Sequence, residues 1–460
     1  MRGCPYGSRC TAAALWVLVA ATVAASPPTP EVLHERLENG LTVSILADAN
    51  MPVVATQVWY HVGSANEAQD SRGFAHLFEH LMFGGSANFA KDELMRHHTK
   101  SGGSWNGYTS LDETVYVSAL APAGLDQVLA MEADRMAHLN LTEENLANEK
   151  RIVTEELRLR IENNPLTRVG TSVQGAVLAG HPYAISPVGT QEDIERATLA
   201  GAQRFYQTLY GPGNAHLVIV GPVDAAATMA KVRQTLGAVP ARGAPPPDIP
   251  DVYGWELRRA VSFTEDLPPV KVAAMAFPLP TDAANREAVR VLHQLLARSA
   301  VDPFEEELVR RRRMAVFAMT EGLFFRRGNV LAFGAAYLPY RREATAFRLI
   351  EETLADMSRL EWLTDETVAA AKRALLVDDL ERRYYAEDMA RAIGTAHWRY
   401  GDVHYALEQS EHIRRVTRAD VAALWQRHIG EAEGVRVFLK PEHVPWYIAA
   451  FGWLYPLFAP

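Results

Sequence analysis

Residues 73–83 read Gly-Phe-Ala-His-Leu-Phe-Glu-His-Leu-Met-Phe, and this stretch is predicted to form a helix. Its apolar residues leave a polar stripe of His76, Glu79 and His80. Because residues three and four apart lie on one helical face, the two imidazoles can bind a single ion. Two neutral imidazoles and a carboxylate suit Zn²⁺, with a fourth position left for water. Glu79 is then placed to take a proton from water as it attacks a carbonyl group.

The order His-x-x-Glu-His inverts the commoner His-Glu-x-x-His and is the inverzincin signature. The alternative interpretation is a chance match, a helix of stacked histidines without function, since the chain has 15 His among 460 residues. The rest of the sequence decides between the two, because a catalytic zinc site needs a third protein ligand.

Residues 142–157 form a second predicted helix, which begins at the capping residue Thr142. Glu149 and Glu156 are seven apart, about two turns, and therefore share one face of this helix. Either carboxylate could complete the zinc site. A solvated acid on an amphipathic helix is the alternative, and spacing alone favours it for any single glutamate.

These residues together resemble the pitrilysin-like M16 metallopeptidases, since His76, Glu79 and His80 are followed by Glu156, 76 positions after His80. Residues 102–109, Gly-Gly-Ser-Trp-Asn-Gly-Tyr-Thr, look like the Gly-Gly-x-x-Asn-Ala-x-Thr strand of that family. The resemblance extends over nearly the whole chain after the leader described below. It implies an α+β fold of two related domains, each a mainly antiparallel sheet with helices packed on one face.

The resemblance also implies residue roles. His76, His80 and Glu156 would hold one Zn²⁺ per chain, and Glu79 would be the base. Glu149, seven residues before Glu156 on the same face of the helix, would be a supporting acid. The activity implied is zinc-dependent endopeptidase cleavage of unfolded peptides or small polypeptides.

Asn106 is a predicted substrate-binding residue. In the family, a strand near the metal accepts the substrate as an added strand, so that the substrate main chain gives affinity without fixing sequence. Asn106 would then contact the substrate main chain. A turn asparagine is the alternative, since Gly107 follows it.

Residues 1–25 are predicted to be a signal peptide, with Arg2 and Arg9 before an apolar stretch that is too short for a comfortable membrane span. A retained N-terminal anchor is the alternative. Both cysteines, Cys4 and Cys10, lie in this leader, so the mature chain would have no disulfide and no thiolate ligand. An exported chain without cysteine suits a bacterial periplasm.

The charge of the mature chain excludes one class of partner. After the leader there are 44 basic and 55 acidic side chains, a formal charge of −11. Such a balance argues against nucleic acid as a partner.

The 435 residues after the leader suggest two or more domains. A Pro-rich linker at 239–254 divides them into an N-terminal domain with the zinc site, 26–238, and a C-terminal domain without one, 255–441. The tail, 442–460, is apolar and aromatic, but its prolines and length make it a poor membrane span. It is predicted to pack on its own domain, on a partner or, least favoured, at a membrane surface.

The two halves look like an internal repeat. Residues 194–200 match residues 413–419 at four positions in register, and residues 50–54 parallel residues 266–270. Short matches of this kind also arise by chance, but each copy of the first pair precedes a predicted helix and strand. We therefore predict a duplication.

The second half has no His-x-x-Glu-His motif, and residues 287–298 read as an ordinary amphipathic helix. Active members of the family also carry an arginine and a tyrosine in this half, which help to hold the developing oxyanion. Val309 and Val316 occupy those positions here, and a shift of one residue gives Arg310 and Phe317. Valine can neither donate a hydrogen bond nor carry charge.

The missing pair predicts that this chain is the zinc-bearing subunit of a heterodimer, whose partner is a related M16 subunit with the Arg/Tyr pair. A self-sufficient homodimeric peptidase is one alternative. The other is a non-catalytic peptide-binding or assembly subunit, against which an intact Glu79 argues.

Overall fold

The computed structural model describes residues 31–265, 269–298, 302–446 and 448, and these form an α+β structure with two sheets. The predicted signal peptide and most of the apolar tail lie outside the described residues. None of the helices in those ranges has the length and apolar character needed to cross a bilayer.

The first sheet belongs to the N-terminal half, where six of the described strands lie in the order β1-β2-β6-β3-β5-β4. β2 and β6 run parallel, and every other neighbouring pair is antiparallel. The strands are β1 (Val32–Arg36), β2 (Thr42–Ala47), β3 (Val54–Tyr60), β4 (Ser104–Thr109), β5 (Thr114–Leu120) and β6 (Ala215–Gly221).

The second sheet repeats that topology with one strand fewer in the described residues, in the order β7-β11-β8-β10-β9. β7 and β11 are again the parallel pair, and the remaining pairs are antiparallel. The chain thus follows one path twice, and two related domains result. The strands are β7 (Ala260–Glu265), β8 (Lys271–Leu279), β9 (Phe317–Phe325), β10 (Gly328–Tyr337) and β11 (Val435–Pro441).

The described helices divide between the two halves. In the first half they are α1 (Phe74–Leu81), α2 (Glu93–Lys100), α3 (Leu125–His138), α4 (Glu143–Leu157), α5 (Pro165–Val177), α6 (Gln191–Arg196), α7 (Leu199–Leu209) and α8 (Ala225–Gln234). In the second half they are α9 (Arg286–Ala297), α10 (Pro303–Glu305), α11 (Glu343–Met357), α12 (Asp365–Arg382), α13 (Ala386–Tyr400), α14 (Tyr405–Arg415) and α15 (Arg418–Trp425).

One polar contact occurs in both halves at equivalent places. Lys150 on α4 donates to two main-chain carbonyl oxygens in the repeat at 194–200, over 2.6–3.0 Å. Lys372 on α12 donates to two carbonyl oxygens in the repeat at 413–419, both over 2.6 Å. The short sequence matches therefore mark one structural element that is present twice, a loop anchored to the long helix by a lysine.

Each sheet carries the helices of its own half on one face. In the first half the core lies between the sheet and α1, α3, α4, α7 and α8. In the second half it lies between the sheet and α9, α11, α12 and α15. These cores follow from the alternation of apolar residues along the strands, which directs every second side chain to one face.

The opposite face of each sheet is covered by a helix from the other half. Met389 and Ile393 on α13 pack against Trp59 and Val218 of the first sheet. In return, Val177 at the end of α5 joins the core on the outer face of the second sheet. Burying a side chain such as Ile393 stabilises by about 1.5–3 kcal/mol. The helices thus cover both faces of each sheet, which goes beyond the predicted packing on one face.

The Pro-rich segment at 239–254 runs between the two sheets and is itself anchored. Ile249 and Val252 are buried in the outer core of the second sheet. Asp248 accepts from Arg326 at 2.6 Å and also pairs with Arg327. We infer that the boundary between the halves lies in this segment, because β6 completes the first sheet before it and β7 begins the second sheet after it.

Candidate metal centre

The centre begins with α1, whose start is fixed by a carboxylate and a glycine. Glu67 accepts the N–H groups of Gly73 and Ala75, each at 2.7 Å, and so satisfies donors that a helix N-terminus leaves open. Gly73 has a φ of +79°, which favours glycine, and an added Cβ would lie 3.1 Å from the carbonyl oxygen of Val188. The chain turns into the helix at this point because of these two residues.

The apolar side of α1 is buried in the first core, by Phe74, Leu77, Phe78 and Leu81 among others. The polar stripe lies on the other side, where His76 and His80 face α4 and Glu79 faces β4. His76 is 7% exposed, whereas Glu79 and His80 are half-buried. The rings of His76 and His80 lie 5.0 Å apart between centroids.

The second element is α4, which starts where its Thr142 side chain accepts from the N–H of Asn145. Leu146, Val153 and Leu157 anchor one side of α4 in the core. Glu149 and Glu156 lie along the side that faces α1. The two helices therefore bring together side chains that are far apart in the sequence.

Three of the predicted ligands converge. His76 Nε2 lies 3.9 Å from Glu156 Oε2, and His80 Nε2 lies 3.2 Å from the same oxygen. One donor atom from each of these residues lies within 4.8 Å of those from the other two. Two imidazoles and one carboxylate are the donor set that zinc takes in sites with an open position, so these side chains fit a zinc ion.

Glu149 lies behind His80 rather than in this group. Its Oε2 is 3.6 Å from Nδ1 of His80, on the side of the ring away from Glu156. Its Oε1 accepts from Lys91 at 2.8 Å. A carboxylate at the second nitrogen of a ligating histidine fixes the tautomer and the orientation of the ring.

Two cationic side chains beside the centre, Lys91 and Arg160, were not predicted from the sequence. Arg160 contacts Glu156 Oε1 at 2.6 Å and leaves Oε2 facing the histidines. The i, i+4 spacing of Glu156 and Arg160 could have revealed this pair. Lys91 has no comparable signal, because it reaches Glu149 from the segment before α2.

Glu79 faces strand β4 as well as the centre. The hydroxyl group of Thr109 donates to Glu79 Oε2 at 2.7 Å. Burial raises the pKa of Glu79, and the hydrogen bond from Thr109 opposes that rise without cancelling it. A carboxylate with a raised pKa is a better proton acceptor than an exposed one.

The charges around the histidines differ. Burial, reinforced by the neighbouring His80, lowers the pKa of His76 to about 4. For His80, burial alone would lower the pKa, but the nearby carboxylates of Glu149, Glu156 and Glu79 raise it above its ordinary value. The pKa of Glu149 is lowered, because the contacts with His80 and Lys91 outweigh its burial.

Asn106 lies on β4, the edge strand of the first sheet, whose hydrogen-bonded neighbour is β5. Its side chain is exposed, and its Oδ1 accepts from the N–H of Gly107 at 2.9 Å. An added Cβ on Gly107 would lie 3.0 Å from Cγ of Glu79. Gly107 and Thr109 therefore share the face that carries α1, and Asn106 lies on the other face, at the open edge.

The second half offers no comparable group. When the half-buried pair His293 and Gln294 of α9 is aligned with Glu79 and His80 of α1, Arg290 falls at the place of His76, although Arg290 is only half-buried. In the described ranges, no set of three metal-ligating side chains comes from this half alone. Val309 is partly buried against the second core, and Val316 is 51% exposed.

Two family models match the chain, and the break between them, after residue 190, lies before the Pro-rich segment at 239–254. The model described as Insulinase (Peptidase family M16) matches residues 42–190, and the model described as Peptidase M16 inactive domain matches residues 196–375. The second match begins in the first half, before α7, and ends within α12; it does not include His76, His80 or Glu156.

Known proteins similar to this chain include zinc proteases. The zinc protease PqqE of Helicobacter pylori is 25% identical over 432 residues, which are 93% of this chain and 97% of PqqE. The crystal structure of a protease from H. pylori has the same fold, with a TM-score of 0.79 at 24% identity over 90% of this chain and 100% of that one. The periplasmic protease PqqL from Escherichia coli has a TM-score of 0.70 at 19% identity, over 94% of this chain and 51% of PqqL. Since the family matches together span most of its length, the chain belongs to peptidase family M16.

Proposed function

We propose that this chain is a zinc-dependent endopeptidase in which His76, His80 and Glu156 hold the metal. The observation that carries the proposal is the convergence of their donor atoms, from two separate helices, within 4.8 Å. It is supported by Glu79, which lies on the same helix as both histidines and turns its carboxylate toward the same space. A structural zinc site would not need such a base.

Zinc, when bound, supplies a Lewis acid that activates water and polarises the scissile carbonyl group. Glu79 takes the proton of the attacking water on its carboxylate and passes it to the nitrogen of the leaving amine. The hydroxyl group of Thr109 holds Oε2 of Glu79 at 2.7 Å, so the other oxygen is the one free to accept that proton.

Glu149 acts in this proposal as a positioning residue. It lies 3.6 Å from Nδ1 of His80 and is held by Lys91. By orienting the imidazole it keeps Nε2 of His80 directed toward Glu156. It does not reach the reacting atoms.

The substrate would bind as an added strand at the free edge of β4. Main-chain N–H and C=O groups at a sheet edge accept a peptide whatever its side chains, so unfolded peptides or small polypeptides are the substrate class. The peptide would then pass beside Gly107. Because Gly107 has no side chain, β4 can lie close to Glu79. Asn106 would exchange its bond with the N–H of Gly107 for one with the substrate main chain.

The chain would act as the metal-bearing subunit of a heterodimer. The support is the pair of valines, Val309 and Val316, at the positions where an arginine and a tyrosine are expected. A further support is an apolar stretch beside the free edge of the second sheet, where Met314, Val316, Phe317 and Met319 are 41–53% exposed. Exposed apolar side chains at a sheet edge are typical of an interface.

The site of action would be the periplasm. The predicted signal peptide supports export, and so does the likeness to PqqL, which is named a periplasmic protease.

The test is hydrolysis of an unstructured peptide by the chain without residues 1–25, with bound zinc measured in the same sample. The assay includes the chain alone and the chain mixed with a related M16 subunit from the same genome. Glu79→Gln is the matched variant, since it removes the base and keeps the shape. We expect zinc in both forms and cleavage only with the wild-type glutamate; a zinc-free wild-type chain, or equal cleavage by the variant, would refute the proposal.

A further inference from the structure

Three histidines meet between the halves of the chain, away from the proposed zinc site. His61 follows the last residue of β3, and His216 lies on the neighbouring strand β6. His216 is directly opposite Trp59 in the antiparallel pair, so it faces α13, which covers that side of the sheet. His397 comes from α13, in the second half.

The three rings are close together, and each has one buried nitrogen without a hydrogen-bond partner among the described residues. His61, His216 and His397 each offer one nitrogen, and the three nitrogens lie within 4.8 Å of one another. His61 Nε2, His216 Nδ1 and His397 Nδ1 are buried without a hydrogen-bond partner in the described part of the chain. His216 is fully buried and His61 is 8% exposed. Buried polar atoms are normally paired, so three orphans at one place need an explanation.

The remaining nitrogen of His216 is already fixed. Its Nε2 lies 2.8 Å from the hydroxyl group of Ser44, which is itself buried. Ser44 also contacts Nδ1 of His34 at 2.8 Å. A partner at one ring nitrogen sets the tautomer, and Nδ1 of His216 is then the nitrogen left without a partner in the described residues, as in histidines before they bind a metal.

The electrostatic surroundings keep the rings neutral. Burial lowers the pKa of His61 to about 3 and that of His397 to about 4, and His397 contributes to the lowering at His61. Neutral imidazole is the form that binds a metal. Ring stacking of His61 on Trp398, at 3.8 Å between centroids, explains why His61 is buried but gives no partner to its Nε2.

We propose that His61, His216 and His397 bind a second divalent transition-metal ion, zinc by preference, which joins β3 and β6 of the first half to α13 of the second. Three imidazoles leave one position of a tetrahedral zinc ion open. That position would face a cleft of about 540 Å³, which is lined by His61 and His397 together with Arg36, Arg326, Arg327 and Arg399. The fourth ligand is therefore water or a small anion.

The proposal is independent of the peptidase site, and the two can be separated by mutation. An untagged His76→Ala/His80→Ala chain lacks the first site. After incubation with Zn²⁺ and gel filtration, we expect one zinc per chain in this double variant and two in the wild type. A double variant that holds no zinc would overturn the proposal.

The second set of variants adds one change to the double variant. His397→Ala is the main change, since His397 is the least buried of the three, and His61→Gln is a second one in case the first disturbs folding. Either change should abolish zinc retention, whereas the control His138→Ala, at an exposed histidine of α3, should retain it. Zinc should also raise the melting temperature of the double variant. It should leave the melting temperature unchanged when His397→Ala is added to the double variant.

Cobalt gives a readout that a non-specific surface ion would not. Co²⁺ bound to the double variant should show the visible absorption of a four-coordinate site with three nitrogen ligands. A spectrum of six-coordinate Co²⁺ would contradict the assignment of the three histidines. So would zinc that is retained both after His397→Ala and after His61→Gln is added to the double variant.

Discussion

At the scale of single residues, the proposed site depends on neighbours that position its functional side chains. Thr109 holds Glu79, Lys91 holds Glu149, and Arg160 holds the outer oxygen of Glu156. Each contact limits the orientations of a carboxylate that would otherwise rotate freely. Activity and metal affinity should therefore respond to residues that touch neither metal nor substrate.

Zinc affinity tests the positioning of His80. Replacing Glu149 by Gln removes the negative charge behind Nδ1 of His80, and we expect zinc to bind about 10–100-fold more weakly. Lys91→Met should weaken zinc binding in the same direction but less, because Lys91 is 48% exposed and solvent screens its charge.

Competition with a zinc chelator measures both effects, in a background that lacks His397. The control is Lys231→Met, which removes an exposed lysine that pairs with Asp126 at 2.6 Å. Unchanged zinc affinity in Glu149→Gln would mean that the carboxylate does not orient His80.

Glu113 provides a prediction about pH. It is buried, its Oε2 has no hydrogen-bond partner in the part of the chain that the structure describes, and burial raises its pKa from 4.5 to about 7. A group with a raised folded-state pKa stabilises the fold fully below its unfolded pKa, and that contribution is lost as pH rises through the folded value. Between pH 4.5 and pH 7 the wild-type protein should therefore lose stability through this residue.

Glu113→Gln imitates the protonated form and should abolish that loss. At pH 8 we expect the variant to be more stable than the wild type by up to about 3 kcal/mol, and at pH 4 to be nearly equal to it. Urea unfolding across this range measures the difference, with the exposed Glu433→Gln as the control. A constant difference at all pH values would indicate a packing effect instead.

At the scale of elements, local sequence patterns predicted much of the fold. The helix predicted at residues 142–157 is α4, because its cap and its apolar spacing act within one element. The duplication was visible in short matches, because both copies bury an isoleucine, Ile194 or Ile413, and cap the next helix with a threonine, Thr198 or Thr417. By contrast, the sequence around α13 does not show which sheet this helix contacts. Its apolar face could pack on either of the two sheets.

The same limit explains which candidate site residues could be proposed from the sequence. His76, Glu79 and His80 lie close together on α1, so their spacing suggested a metal site, and the resemblance of the surrounding motifs favoured it over a chance match. The cluster of His61, His216 and His397 joins two strands and a helix of the other half, and no spacing connects them. Such a cluster becomes visible only when the elements are packed.

The contact between α13 and the first sheet can be tested at Gly394. An added Cβ there would lie 2.2–2.4 Å from the indole ring of Trp59, which is 2% exposed and cannot move away. Alanine normally favours a helix by about 1 kcal/mol over glycine, but overpacking costs about 1–3 kcal/mol or more. The clash should prevail, and Gly394→Ala should lower the free energy of unfolding.

Gly170→Ala is the matched control for this prediction. Gly170 also lies within a helix, α5, but an added Cβ meets nothing within 4 Å. It should therefore raise the free energy of unfolding by about 0.5–1 kcal/mol. Equal effects of the two substitutions, measured by urea unfolding, would show that α13 does not pack tightly on Trp59.

At the scale of the whole molecule, the two halves are both joined and unequal. Exchanged helices and the His61, His216 and His397 cluster lie between them, yet the proposed peptidase chemistry belongs to the first half. The second half keeps the topology without a ligand set of its own among the described residues. Such an asymmetry is consistent with a division of labour between related subunits. Another chain would supply the arginine and tyrosine that hold the oxyanion, at the positions where this chain has Val309 and Val316.

The division of labour predicts the behaviour of the isolated chain. Groups that stabilise an oxyanion contribute about 10²–10³-fold to kcat. We therefore expect the isolated chain to bind zinc but to cleave an unstructured peptide at least about 100-fold more slowly than the mixture with its related subunit. Gel filtration should show a complex of the two chains in that mixture.

Two variants identify the source of the activity. A mixture that contains Glu79→Gln should be inactive, because the base comes from this chain. Replacing the arginine and tyrosine of the partner should lower kcat by a similar factor, while zinc stays bound to this chain. Full activity of the isolated wild-type chain would refute the heterodimer and favour a self-sufficient homodimer, in which another group holds the oxyanion. The assignment of His76, His80 and Glu156 would be unaffected by that result, because zinc content is measured separately from turnover.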